Sequence, residues 1–61
     1  METLVVYCSH GKYVYHDVSW AAKVSGQLVI ENNSGEVVVV FNNWEWLEVS
    51  SDPDYFGRPW R

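Results

Sequence analysis

Residues 26–49, GQLVIENNSGEVVVVFNNWEWLEV, decide the fold of this chain. This stretch holds two apolar runs, at positions 28–30 and 37–41, separated by Asn32-Asn33-Ser34-Gly35. β-Branched residues dominate the runs and favour strands, whereas asparagine, serine and glycine favour a tight turn. The pattern therefore predicts a β-hairpin.

A four-residue loop at positions 32–35 would fix the register of this hairpin. The cross-strand pairs predicted from it are Glu31 with Glu36, Ile30 with Val37, and Leu28 with Val39. One face then collects the large apolar side chains that cross-strand pairing brings together, namely Leu28, Ile30, Val37, Val39 and Phe41. The other face carries a second apolar set, Val29, Val38 and Val40. A sheet in water needs only one apolar face, so we expect barrel closure, the tail or a partner to cover the second.

The remaining strands are predicted at positions 3–8, 12–24 and 46–50. Within 12–24, the even positions from Val14 to Val24 are mostly apolar, which favours a strand over the helical turn that VSWAAKV also permits. A three-residue loop at 25–27 would pair Val24 with Leu28. The predicted fold is all-β, a small five-stranded antiparallel meander or an open barrel of SH3-like size.

The composition changes at Ser51, so we expect one β domain at 1–50 and an irregular tail at 51–61. The tail, SDPDYFGRPWR, contains both prolines of the chain and should not continue the sheet. Residues 1–55 carry two lysines and eight acids, a net charge of −6, whereas the last six residues carry +2. An aromatic, basic tail on an acidic body is expected to dock on its own domain or on another chain.

Length and charge exclude several classes of function. A chain of 61 residues forms one small domain, and its single cysteine, Cys8, allows no intrachain disulfide. The net charge of −4 argues against binding nucleic acid through a basic patch. No apolar run approaches the ~20 residues that span a bilayer, and no signal region is evident. We therefore expect a cytoplasmic protein that does not act at a membrane.

The candidate chemical groups favour structural roles. Cys8, His10 and His16 are the only soft metal ligands, and a set drawn from one hairpin makes a poor site. Glu45, Glu48, Asp52 and Asp54 are expected on a solvated face, and Tyr13, Tyr15 and Trp20 in the core or in a protein-binding patch rather than in a base-stacking platform. We expect no catalytic residue, metal or cofactor.

The order of apolar and glycine positions resembles that of small orphan β proteins encoded by tailed phages of actinobacteria. The residues that carry the resemblance are Val18, Ala22, Val24, Gly26, Leu28, Ile30, Gly35, Val37, Val38, Val40, Phe41, Trp46 and Val49. They cover about half of the chain. The resemblance implies a phage-encoded accessory protein, which would place the chain in the host cytoplasm or in the virion.

The leading functional prediction is a non-enzymatic protein–protein interaction domain that binds a host or phage protein. The alternative is a small structural subunit that self-associates or decorates a larger assembly. Tryptophan, tyrosine and arginine dominate binding hot spots, so the predicted partner-binding residues are Trp44, Tyr55, Phe56, Arg58, Trp60 and Arg61.

Overall fold

The computed structural model describes residues 2–59 and contains five antiparallel strands. They are β1 (Glu2–Cys8), β2 (Gly11–Ala22), β3 (Leu28–Asn32), β4 (Val37–Phe41) and β5 (Trp46–Ser50). Each strand is rich in β-branched or aromatic residues, which suit a pleated, half-buried surface. The predicted all-β class is confirmed.

The strands form one open sheet in the order β4-β3-β2-β1-β5. Consecutive strands pair from β1 to β4, as in a meander, but β5 then returns to pair with β1 on its other side. Strand β1 is the most buried of the five and pairs with a neighbour on both edges. Its central residues Leu4, Val5 and Val6 are fully buried, while β4 and β5 are the two free edges of the sheet.

Strand β2 bends at Asp17 and thereby serves two neighbours. Its first part pairs with β1 and its last part pairs with β3. Asp17 has φ 59°, and the register between β1 and β2 shifts at this point. Such a bulge moves the following residues to the other face of a strand. Tyr15 and Val18, three positions apart, therefore both contact the core, which corrects the predicted alternation of even positions through β2.

A substitution at Asp17 tests this bulge. Asp17→Val should lower the free energy of unfolding by about 1–2 kcal/mol, the cost of a left-handed backbone for most residues. Asp17→Asn should change it little, because asparagine tolerates this conformation. Its side-chain carbonyl can also still accept from the side-chain Nδ2 of Asn33, which lies 3.0 Å from Asp17 Oδ2. Urea denaturation of the two variants measures the difference, and equal stabilities would contradict a strained bulge.

The β2–β3 and β3–β4 hairpins both use three-residue loops that end in a glycine with positive φ, at Gly26 and Gly35 respectively. These loops comprise residues 24–26 and 33–35, so the loops predicted at 25–27 and 32–35 were wrong. The observed pairs are Ala22 with Leu28, Leu28 with Phe41, and Ile30 with Val39.

The true register of each hairpin lies two residues from the predicted one over Leu28 and Ile30. A shift of two keeps every side chain on its face, so Leu28, Ile30, Val39 and Phe41 do line the core. Val24 and Val37, also predicted to face the core, are instead exposed. Val24 lies in a loop, and Val37 precedes a second register shift between β3 and β4.

The core occupies one face of the curled sheet. Its buried members come from β1, β2 and β3 and are Leu4, Val6, Cys8, Val18, Leu28 and Ile30. Phe41 of β4 folds over them to meet Tyr13 and Tyr15 of β2, with ring centroids 5.4 and 6.1 Å apart. Trp44 also packs against this cluster, and its indole Nε1 donates to the Gly26 carbonyl at 2.9 Å. Aromatic contacts thus close the open sheet over its core.

Candidate functional site

The opposite face of β1 is covered by the C-terminal tail. Val5 points away from the core cluster and is nevertheless 0% exposed. The chain reverses after β5 in a turn where the amides of Asp54 and Tyr55 bond to Asp52. It then crosses β1 at contact distance, because a Cβ on Gly57 would lie 2.8 Å from Val5 Cγ1 and 2.6 Å from Tyr7 Oη. Residues 55–58 therefore form part of the folded domain.

A carboxylate on β5 holds this tail in place. Glu48 Oε1 accepts hydrogen bonds from the hydroxyls of Tyr7, at 2.6 Å, and Tyr55, at 2.8 Å. Glu48 Oε2 accepts from Nε of Arg58 and pairs with its Nη2, both at 2.6 Å. The Arg58 amide donates in turn to the Tyr7 hydroxyl at 2.7 Å. We call Tyr7, Glu48, Tyr55 and Arg58 the tail clasp.

The clasp favours one protonation state for each of its members. The Tyr7 hydroxyl, with smaller contributions from Tyr55 and Arg58, lowers the pKa of Glu48 against the opposing effect of burial. Burial, and then the hydrogen bond to Glu48, raises the pKa of Tyr7. The hydrogen bond to Glu48 likewise raises the pKa of Tyr55 and that of Arg58. A charged carboxylate, two neutral tyrosines and a charged guanidinium are thus the stable combination.

These pKa shifts predict that the stability is highest at intermediate pH and falls in both acid and alkali. A carboxyl whose folded pKa is lowered stabilises the fold above its unfolded value, about 4.3, and loses that contribution as the pH falls through the folded pKa. Tyrosines with a raised folded pKa contribute below about 10 and lose the contribution as the pH rises further. The melting temperature should therefore fall below about pH 4.3 and above about pH 10.

Glu48→Gln tests the contribution of Glu48 to the loss of stability at low pH. The variant should be less stable than the wild type near pH 7 and should show a weaker loss of stability on acidification. Glu2→Gln, which removes the same charge from an exposed position, is the control and should keep the wild-type profile. Identical acid profiles for Glu48→Gln and wild type would contradict the clasp.

The docked tail creates a surface of aromatic and basic side chains. Lys12, Tyr7 and Trp46 lie side by side on β2, β1 and β5. Lys12 Nζ donates to the Arg58 carbonyl at 2.9 Å and lies 5.7 Å from the centroid of the Phe56 ring. The Phe56 and Trp46 side chains remain 68% and 55% exposed. We call Lys12, Trp46, Phe56 and Arg58 the tail surface.

The predicted partner-binding residues fall into three groups in this structure. Phe56 and Arg58 lie on the tail surface, and Tyr55 lies beside them in the clasp. Trp44 instead packs against the core on the other face of the sheet. Trp60 and Arg61 lie outside the described residues. Whether any of the six binds a partner stays a prediction.

Sequence reasoning missed Tyr7, Lys12 and Glu48. Glu48 was expected on a solvated face, and this was wrong, because its side chain is only 13% exposed. The role of Glu48 could be recognised only from the pairing of β5 with β1. This pairing places Glu48 opposite Val5 and Trp46 opposite Tyr7.

The cysteine and the two histidines do not form a common site. Cys8 lies in the core, whereas His16 lies on the opposite face of the sheet and hydrogen-bonds Thr3 at 3.1 Å. His10 contacts the Tyr13 hydroxyl at 2.7 Å in an exposed position. Within residues 2–59, no cluster of three histidine, cysteine or acidic side chains is placed to hold a metal ion. The same residues contain no helix with the length and apolar character of a membrane span.

Comparison with known proteins adds no relative. No protein-family model, no curated protein and no solved structure matches this chain.

Proposed function

We propose that this chain is a non-enzymatic protein–protein interaction domain that binds its partner through the tail surface. The observation that carries the proposal is Phe56. Its ring is 68% exposed although the residues on either side of it are fixed, Tyr55 by Glu48 and Gly57 by close contact with Val5. An aromatic side chain held at the surface by a fixed backbone is available to a partner.

Preorganisation supports this reading. Ordering a loop or a side chain on binding costs free energy, and a segment already held in place avoids much of that cost. The tail clasp holds the backbone of residues 55–58 before any partner arrives. Aromatic and arginine side chains are also the types enriched at interfaces.

Charge indicates what the partner surface offers. The Lys12 ammonium lies 5.7 Å from the centroid of the Phe56 ring, whereas the Arg58 guanidinium, which is exposed, is already paired with Glu48. A complementary surface would present an apolar pocket for Phe56 and acidic groups at its rim, since complementary charges steer association.

Two further parts of the proposal rest on the sequence. The resemblance to small phage proteins supports an accessory role, in which the chain acts on a host or phage protein in the host cytoplasm. The alternative function, a self-assembling subunit of a virion or another assembly, is favoured by one observation, the uncharged strand β4 at a free edge of the sheet.

Affinity capture from cells that produce the chain tests the leading proposal. We expect one protein to be recovered in stoichiometric amount with the wild type and to be lost with Phe56→Ala. Purified proteins should then reproduce the difference as at least a tenfold loss of affinity, the effect of a hot-spot residue worth ~1.4 kcal/mol or more.

Val24→Ala is the matched control, because Val24 is an apolar side chain that is fully exposed in a loop away from the tail. It should bind as the wild type does. Both variants should keep the wild-type melting temperature. Equal binding by Phe56→Ala and Val24→Ala would contradict the tail surface as the binding site.

A further inference from the structure

The free edge of β4 consists of residues that favour pairing with another strand. β4 reads VVVVF, and its side chains Val37, Val38 and Val40 are exposed. An edge strand exposes unpaired backbone groups, and natural proteins commonly protect such an edge with charges or proline. No charged residue or proline occurs from Val37 to Trp44, so this edge lacks that protection.

The hydrogen-bonding phase of the sheet shows which backbone groups are unpaired. The Asn32 amide donates to the Glu36 carbonyl, so the backbone of Asn32 faces β4, and by alternation so does that of Ile30. Val39 pairs with Ile30 and therefore turns its backbone towards β3. Val40, the next residue, turns its N–H and C=O towards the open edge.

The two free edges differ in their ability to pair with a second copy. Antiparallel self-pairing of the whole of β5 would place Glu48 opposite Glu48 of the other copy, and like charges directly opposite each other destabilise a sheet. Self-pairing of β4 meets no such penalty. The register shift within β4 precedes Val39, so the strand is regular from Val39 onwards.

We propose that two copies of this chain associate through their β4 strands, antiparallel and centred on Val40, to form one continuous ten-stranded sheet. The two Val40 residues would exchange their N–H and C=O groups across a two-fold axis, which is how directly opposed residues pair in an antiparallel ladder. A two-fold contact of this kind closes on itself and limits assembly to a dimer. The site is distinct from the tail surface, so either proposal can fail without the other.

Sedimentation equilibrium of the full chain over a concentration series tests the association directly. We expect the mass to rise with concentration from the 7.1 kDa of one chain towards twice that value. Over the same series, hydrogen exchange at the Val40 amide should slow at least tenfold more than at exposed loop amides. A chain that stays monomeric up to millimolar concentration overturns the proposal, and so does one that grows beyond a dimer.

A pair of charge variants tests the position of the axis. Val40→Lys and Val40→Glu should each be monomeric, because each places like charges opposite each other, and an equimolar mixture should recover a dimer. Val49→Lys is the matched control, since Val49 is 41% exposed, as Val40 is, but lies on β5 at the other edge. It should dimerise as the wild type does.

These variants also have outcomes that count against the proposal. If Val49→Lys is monomeric while both Val40 variants dimerise, the axis lies at β5. If the mixture of Val40→Lys and Val40→Glu stays monomeric, Val40 is not at the axis. Circular dichroism establishes that each variant is folded, and for any that is not, the wild-type mass and the Val40 exchange rate decide the question alone.

Discussion

Ile30→Ala should lower the free energy of unfolding by about 2–5 kcal/mol, the usual cost of truncating a large buried side chain. Ile30 is fully buried on β3, the strand that connects the bent half of β2 to the edge strand β4. Because a domain of this size has a small stability margin, the variant should be largely unfolded at room temperature. Thermal unfolding followed by circular dichroism measures the effect.

Val38→Ala is the control for this substitution. Val38 lies on the neighbouring strand β4 but is exposed, and surface substitutions usually change stability by about 0.5 kcal/mol or less. A wild-type melting temperature for Ile30→Ala, or an equal loss for both variants, would mean that the wrong face of the sheet has been assigned to the core.

Gly57→Ala should also lower the free energy of unfolding substantially, because it introduces both backbone strain and a steric clash. Gly57 has φ 88°, and a left-handed backbone costs most residues about 1–2 kcal/mol. The added methyl would also lie 2.6 Å from Tyr7 Oη and 2.8 Å from Val5 Cγ1, and such overpacking costs about 1–3 kcal/mol more. The tail should leave β1, and the tail clasp should come apart with it.

Gly35→Ala separates these two costs. Gly35 has a similar φ of 82°, but the space where its Cβ would lie is open. Gly35→Ala should therefore lower the free energy of unfolding only by the cost of backbone strain, about 1–2 kcal/mol. Urea denaturation of both variants gives the difference, and equal losses would show that nothing packs against Gly57.

The fold was predictable in class and in most of its faces. Strands β4 and β5 have the predicted bounds, and Leu28 and Ile30 face the core as predicted. The face assignment survived a two-residue error in register because side chains alternate with a period of two. Local sequence specifies which residues are apolar and places the two loops to within one residue of their observed bounds, and those features determine the faces.

Two features of the fold could not be predicted locally. The bulge at Asp17 moves Tyr15 and Val18 to the same face, yet aspartate at that position is also compatible with a regular strand. The pairing of β5 with β1 joins residues 39 to 47 positions apart and is specified by the folded sheet as a whole.

The candidate site depends on that long-range pairing. Tyr55, Phe56 and Arg58 were predicted from residue type alone, since the tail is rich in residues that favour interfaces. Glu48 and Tyr7, which hold the tail, lie on strands that are far apart in the sequence. Their side chains meet only after β5 pairs with β1. The tail therefore presents Phe56 from a position that the rest of the fold determines.

We conclude that the tail is held on its own sheet and presents the tail surface from there. Truncation after Asp54, followed by thermal unfolding, tests it most directly. The deletion uncovers Val5 and removes three of the hydrogen-bond donors to Glu48, one from Tyr55 and two from Arg58. We expect a clear fall in melting temperature at a concentration where the full chain is monomeric. An unchanged melting temperature there would show that the tail is not held on the sheet.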